Sequence, residues 1–324
     1  MTHYPWQQVQ WQQLVRTYSQ DRLSHAYLLS GISGLGKTDF ANAFASLLLC
    51  KNPDKNTGFV CQQCKCCQLM RAKTHPDYIE ITPHEKKHAI KIDQVRQLTQ
   101  KLTQKSQYGG YQVVVISPAD AMPVGAANAL LKTLEEPLGD VVIFLVVDCM
   151  DQLPATIVSR CQQIYFYVND TKKTLDWLIN EFKTQTDIAA LLSVAGGAPL
   201  AVKRLIDADY ITLRDAVLKH LLAILTTSAN PVSPIADWLK WDEDLIFYAL
   251  ISLAMDVARI QMGVHNDLMN ADSQSLLTKI AQQLSPLALQ LWLCILLDKK
   301  QLVARGMNLN SQLMFEDLLL KWGK

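Results

Sequence analysis

Residues 26–38 read AYLLSGISGLGKT. A short apolar run leads into Gly31, Gly34, Gly36, Lys37 and Thr38, which fit the spacing G-x-x-x-x-G-K-[ST]. The next residues, DFANAFASLLL, place apolar side chains at helical spacing. A strand entering a glycine-rich turn that opens a helix is the arrangement that cradles phosphate. The glycines let backbone N–H groups close around the anion, and the helix N-terminus adds partial positive charge. In such a loop Lys37 reaches the β- and γ-phosphates and Thr38 ligates Mg²⁺. ATP or ADP is therefore the candidate ligand. The other reading is a strand-to-helix turn that has kept its glycines without a ligand.

Working outward, further apolar runs lie at Tyr78–Ile81, Val113–Ile116, Val141–Val147 and Ile164–Val168. Continuous runs such as VVIFLVV fit strands buried on both faces of a parallel sheet. Helical patterns at Asp39–Leu49, Asp93–Lys105, Ala126–Glu136 and just after Pro154 supply the crossovers. Five strands with helices between them predict a doubly wound α/β domain. After about Val168 the strand signals fade. Residues 170–207 read as two or three short helices, and from 209 onward Leu-rich amphipathic segments follow one another. The predicted organisation is an α/β domain over 1–167, a small helical domain over 168–208 and a larger all-helical domain over 209–324.

Bulk numbers agree with several domains: 324 residues, 49% hydrophobic and 19% charged. A net charge of +1 advertises no global attraction to nucleic acid or membrane, so any DNA contact has to be local. The first residues, MTHYPWQQVQWQQLVR, lack the apolar core of a signal peptide, and Leu245–Met255 is too short to span a bilayer. No membrane association and a cytoplasmic location are expected. Eight cysteines in a reducing compartment suggest a metal site or buried thiols rather than disulfides.

Five of those cysteines fall between residues 50 and 67. Cys50, Cys61, Cys64 and Cys67 have the spacing C-x₁₀-C-x₂-C-x₂-C, and four thiolates so arranged can close a tetrahedral zinc site. Such a site is structural, because no coordination position stays open. Cys66 is a spare that could compete with Cys67. Free thiols in a flexible insertion are the alternative. A nucleic-acid role for this module is weakly supported, since it carries only Lys51, Lys55 and Lys65.

RLSHAYLLSGISGLGKT (22–38), the four-cysteine insertion, THPDYIEI (74–81), NALLKTLEEP (128–137) and LPATIVSRC (153–161) occur in that order. Together they resemble the clamp-loader subunits of bacterial DNA polymerase III, members of the AAA+ superfamily. Specific motifs cover about the first 165 residues, and the three-domain layout extends the resemblance more weakly over the rest. It implies an AAA+ phosphate-loop domain with a zinc module at 50–67, a helical lid and an all-helical collar that holds subunits in a ring.

In the family's motors the third core strand ends in Asp-Glu, which supports Mg²⁺ and activates water. Aligned on VVVISPAD (113–120), Ser117 stands at the Asp position and Pro118 at the Glu position. Asp120 falls two residues further on and would point elsewhere. In the motors' lid, Gly-Ser-x-Arg-Asp places an Arg over the γ-phosphate; here Gly197-Ala198-Pro199-Leu200-Ala201 puts Leu200 there. The motors' phosphate-sensing Thr aligns near Val147-Asp148-Cys149. One catalytic group remains: Ser159-Arg160-Cys161 matches the motif whose Arg acts in trans on a neighbour's ATP. A surface ion pair is the plainer reading of Arg160.

The pattern resembles the delta prime branch of the family rather than the gamma/tau motors. It implies a subunit of the polymerase holoenzyme without ATPase activity of its own, in a hetero-pentameric ring with gamma/tau and delta. That ring would act on the sliding clamp and on primed DNA. One departure stands out: delta prime chains often have a degraded phosphate loop, and this one is complete. The resemblance makes Arg96 and Lys101, on a predicted helix, candidates for contact with the DNA backbone, against the reading of a solvated face. Lys86, Lys87 and Lys91 read as a solvated basic loop. Tyr4-Pro5-Trp6 either packs near a nucleotide base or anchors the N-terminus, and anchoring is preferred.

Overall fold

A computed structural model describes residues 3–83, 89–137, 139–183, 187–227, 230–266, 268–304, 307 and 309–323. Lys86 and Lys87 lie outside the described residues. The chain divides into two compact units, 1–177 and 178–324.

The first unit runs α1 (Gln8–Ser19), β1 (Ala26–Ser30), α2 (Lys37–Leu49), α3 (Lys65–Arg71), β2 (Tyr78–Ile81), α4 (Ile92–Leu102), β3 (Gln112–Ile116), α5 (Val124–Glu135), β4 (Val141–Val147), α6 (Ala155–Val158), β5 (Gln162–Tyr165) and α7 (Thr171–Phe182), which crosses the division. All five strands are parallel, in the order β2-β3-β4-β1-β5. Crossover helices cover both faces, so β1, β3 and β4 are buried along their whole length. Alternation along each strand then sorts the core. Ala26, Leu28, Val114, Ile116, Ile143 and Leu145 pack with Val95 and Leu98 of α4 and Leu130 and Leu134 of α5. On the other face Tyr27 stacks on Phe144 at 5.5 Å, and Phe44 of α2 meets Phe144 and Trp11 edge-on.

The five-stranded parallel sheet is as expected, but the fifth strand begins and ends earlier than Ile164–Val168. It pairs with β1 from Tyr27↔Gln162 to Ser30↔Tyr165. After Phe166 donates its N–H to Ser30 O (2.7 Å), β1 has turned into the glycine-rich loop and offers no further partner. The apolar character of residues 166–168 therefore reflects packing beyond the strand, where Phe166 meets Phe40 at 4.9 Å.

The second unit contains α8 (Ile188–Val194), α9 (Pro199–Asp207), α10 (Tyr210–Thr226), α11 (Ile235–Trp238), α12 (Glu243–Gln261), α13 (Gln274–Gln283), α14 (Pro286–Ala304) and α15 (Ser311–Leu320). No strand occurs among its described residues. Here α12 is the central element, contacting α8, α10, α13 and α14. Its buried Asp256 accepts hydrogen bonds from the backbone N–H groups of Met269 (3.1 Å) and Asn270 (2.8 Å). Buried Arg214 on α10 pairs with Asp215 (2.7 Å) and Asp272 (2.5 Å). Among the described residues no single helix is long and apolar enough to cross a membrane.

Candidate functional site

The glycine-rich loop leaves β1 at the carboxyl edge of the sheet, where ligands of doubly wound folds bind. Gly36 caps α2 in the left-handed region (φ +75°), and a Cβ there would lie 2.5 Å from the Tyr4 ring. Both its conformation and its neighbour therefore require glycine. That neighbour belongs to an N-terminal clamp. Trp6 Nε1 donates to Leu35 O (3.0 Å), and Gln7 Nε2 donates to Leu35 O (2.8 Å) and Gly36 O (2.9 Å). The Tyr4 hydroxyl donates to Asp39 (3.0 Å), and its ring stacks on Trp6 at 4.9 Å. Tyr4-Pro5-Trp6 thus anchors the N-terminus, and the anchor point is the phosphate loop itself.

The two loop side chains expected from sequence to meet a nucleotide both have partners within the chain. Lys37, with a side chain only 3% exposed, donates from Nζ to Gly31 O (2.5 Å), Ile32 O (2.8 Å) and Asp148 Oδ1 (2.6 Å). The Thr38 hydroxyl shares a 2.7 Å hydrogen bond with that of Ser117. Ser117 directly follows β3, Asp148 directly follows β4, and the Ser117–Pro118 bond is cis. Asp120 accepts the backbone N–H groups of Asp148 (3.1 Å) and Cys149 (3.2 Å). Sequence reasoning noticed Asp148 only as an altered sensing position and missed its ion pair. The available signal was an acid closing an apolar strand beside a lysine loop.

Arg160 follows α6 and is held inside the unit. Its guanidinium donates to Thr156 O (2.8 Å) and pairs with Glu135 at the end of α5 (2.5 Å). The ion pair read from sequence as the plainer alternative is therefore present: the Arg160 side chain is 35% exposed and engaged by an acid that is 48% exposed. Glu135 lies in the LEEP segment and was not singled out from sequence. Cys161 is buried, and burial pushes its thiol up to about 12, so it is inert packing. Leu200, in the first turn of α9, is partly buried and lines a shallow depression with Lys203 and Arg204. Arg96 and Lys101 are both exposed on α4; Arg96 has Asp93 as a neighbour at 3.6 Å.

The four cysteines converge. Their Sγ atoms all lie within 4.8 Å of one another. Cys50–Cys61, Cys50–Cys67 and Cys61–Cys67 are 3.5, 3.6 and 3.9 Å apart. A tetrahedron with zinc–sulfur bonds of about 2.3 Å has sulfurs about 3.8 Å apart, so the donor set fits this ion. Backbone N–H groups point at the sulfurs: Cys61 N to Cys50, Cys64 N to Cys61 and Cys67 N to Cys64, each 3.4 Å. Such donors favour the thiolate, and the N–H groups of Cys64 and Gln63 hold Cys61 down to about 6. Cys66 is not one of the four converging cysteines and is buried, 1% exposed.

THPDYIEI supplies a support beside this module. Asp77, 2% exposed, accepts the N–H groups of Gln107 (2.7 Å) and Tyr108 (3.0 Å) and the Ser106 hydroxyl (3.0 Å). Lys51, adjacent to Cys50, donates to Tyr108 O, and Lys65 sits over the Tyr108 ring at 5.7 Å. Asp77 thus fixes the loop against which the cysteine module rests.

The family model described as DNA polymerase III, delta subunit, matches residues 6–170, and that described as DNA polymerase III, delta subunit, C terminal, matches 208–324. DNA polymerase III subunit delta' of Pseudomonas aeruginosa is 37% identical, the match covering 98% of this chain and 97% of that one. Its Escherichia coli counterpart is 32% identical, over 99% and 95%. A solved DNA polymerase III gamma subunit-related protein from Thermotoga maritima is 18% identical with a TM-score of 0.46, covering 95% of this chain and 97% of that one. With the family models spanning both units and curated relatives aligned over nearly their whole length, the chain belongs to the delta prime family of DNA polymerase III clamp-loader subunits.

Proposed function

We propose that this chain is a clamp-loader subunit that hydrolyses no ATP itself and lends Arg160 to the ATP site of a neighbouring gamma/tau motor. The observation that carries this is the end of β3. Ser117 and Pro118 stand where water activation and metal support are needed, and the Ser117 hydroxyl is spent on Thr38. Groups of this kind contribute about 10²–10⁴-fold each, so a nucleotide held at residues 31–38 would not turn over efficiently. Arg160 lies partly exposed just beyond the short helix α6, where leaving Glu135 would free its fork. An arginine so donated neutralises charge on the transferring phosphoryl group and supplies about 10³–10⁵ in rate.

In this reading the ring of gamma/tau, delta and this chain acts on the sliding clamp and primed DNA in the bacterial cytoplasm. Residues 1–167 form the AAA+ domain, 168–208 the lid and 209–324 the collar that joins the subunits. Zinc on Cys50, Cys61, Cys64 and Cys67 fastens the 50–67 module, whose polar loop has little core of its own. Arg96 and Lys101, both exposed on α4, are the candidates to face the DNA backbone.

The test is ATP turnover by the isolated chain, with and without primed DNA. The proposal expects neither basal nor DNA-stimulated hydrolysis above background. Appreciable DNA-stimulated turnover would support the competing reading of a self-sufficient motor or kinase.

A further inference from the structure

The phosphate loop is complete in sequence, yet each side chain that would meet a nucleotide is already satisfied. We infer that Asp148 serves as the loop's internal anion, latching Lys37 and keeping nucleoside triphosphates out of the site. The inference rests on reading residues 31–38 as a phosphate-binding loop.

An ammonium group as enclosed as that of Lys37 requires a compensating charge. In a nucleotide-binding loop the phosphates supply it. Here the Asp148 carboxylate supplies it at 2.6 Å, and the carbonyls of Gly31 and Ile32 take the remaining donor directions. Asp148 is held in place because its own N–H is fixed by Asp120 (3.1 Å), and it directly follows a seven-residue buried strand. The Mg²⁺-facing hydroxyl of Thr38 is likewise engaged, by Ser117. A triphosphate entering the loop must break the Lys37–Asp148 pair. It must then sit beside a freed carboxylate, charge against like charge at close range. Both effects oppose binding, and both come from a single side chain. The loop's lysine is then a structural cation that ties β1, α2 and β4 together at the sheet edge.

The test is titration of the full chain with MgATP, by calorimetry, for wild type, Asp148→Asn, and Asp148→Asn combined with Lys37→Met. Asp148→Ser serves as a second release variant, and far-UV circular dichroism verifies folding. The expected result is binding at least about tenfold tighter in either release variant than in wild type, lost again in the double variant. Equal affinity of wild type and release variants overturns the latch while leaving the loop a nucleotide site. Tighter binding that survives Lys37→Met overturns the role given to the lysine. No binding by any folded variant overturns the phosphate-loop reading, and the latch with it.

Discussion

Asp77→Asn is the substitution whose cost can be worked most directly from the structure. The carboxylate is buried and accepts three hydrogen bonds, from Gln107 N, Tyr108 N and Ser106 Oγ. An amide has one oxygen. Whichever way it sits, an NH₂ faces a donor, at least one hydrogen bond is lost, and the others lose their charge assistance. Hydrogen bonds to charged groups contribute about 1.5–3 kcal/mol each, and a stranded buried donor costs about 1–3 kcal/mol. The expected loss is therefore about 2–4 kcal/mol. For a unit the size of residues 1–177 this lowers the melting temperature by roughly 4–16 °C.

The pH dependence gives a second handle on the same side chain. Burial pushes the Asp77 carboxyl up, but the N–H groups of Gln107 and Tyr108 and the Ser106 hydroxyl outweigh it, so it stays below its ordinary value. A carboxyl whose folded value lies below its unfolded value of about 3.9 stabilises fully above that pH and loses the contribution as pH falls through the folded value. The melting-temperature gap between wild type and Asp77→Asn should thus be full at pH 7 and shrink below about pH 4. Thermal melts at both pH values measure it. A gap under about 0.5 kcal/mol at pH 7, or one equally large at acid pH, would refute the reasoning.

Two further outcomes concern the cysteine module. Elemental analysis of the purified chain should give about one zinc per molecule, and Cys64→Ser should abolish it and raise hydrogen exchange across residues 50–71; a metal-free chain with the same protection would dismiss the site. Gly58→Ala should cost about 1–3 kcal/mol, because residue 58 has φ +74° and its Cβ would lie 2.6 Å from Val15 Cγ2 and 2.7 Å from Trp11 Nε1; a melting temperature within a degree of wild type would contradict that packing.

What could be read from sequence was what depends on local pattern. GISGLGKT between an apolar run and an amphipathic run placed β1 and α2, and VVIFLVV announced a strand buried on both faces. The cysteine spacing pointed to four converging thiols because x₂ intervals bring ligands to one side of a turn. The bounds of β5 were not legible, since they depend on where its partner β1 leaves the sheet. Nor were the pairings Lys37–Asp148 and Arg160–Glu135, which join residues far apart in sequence through strand order and helix docking. Ser117 was read only as standing where the family's motors carry an acid, and its bond to Thr38 depends on β3 and α2 lying side by side at the sheet edge.

The central claim is that catalysis passes from this chain to its neighbour through Arg160. Its most direct test is DNA-triggered ATP hydrolysis by a loader reconstituted with Arg160→Ala. The account predicts that the motor site facing this chain loses about 10³-fold or more in turnover, lowering the loader's ATPase and clamp loading while the ring still assembles. An assembled ring hydrolysing ATP at the wild-type rate would contradict it.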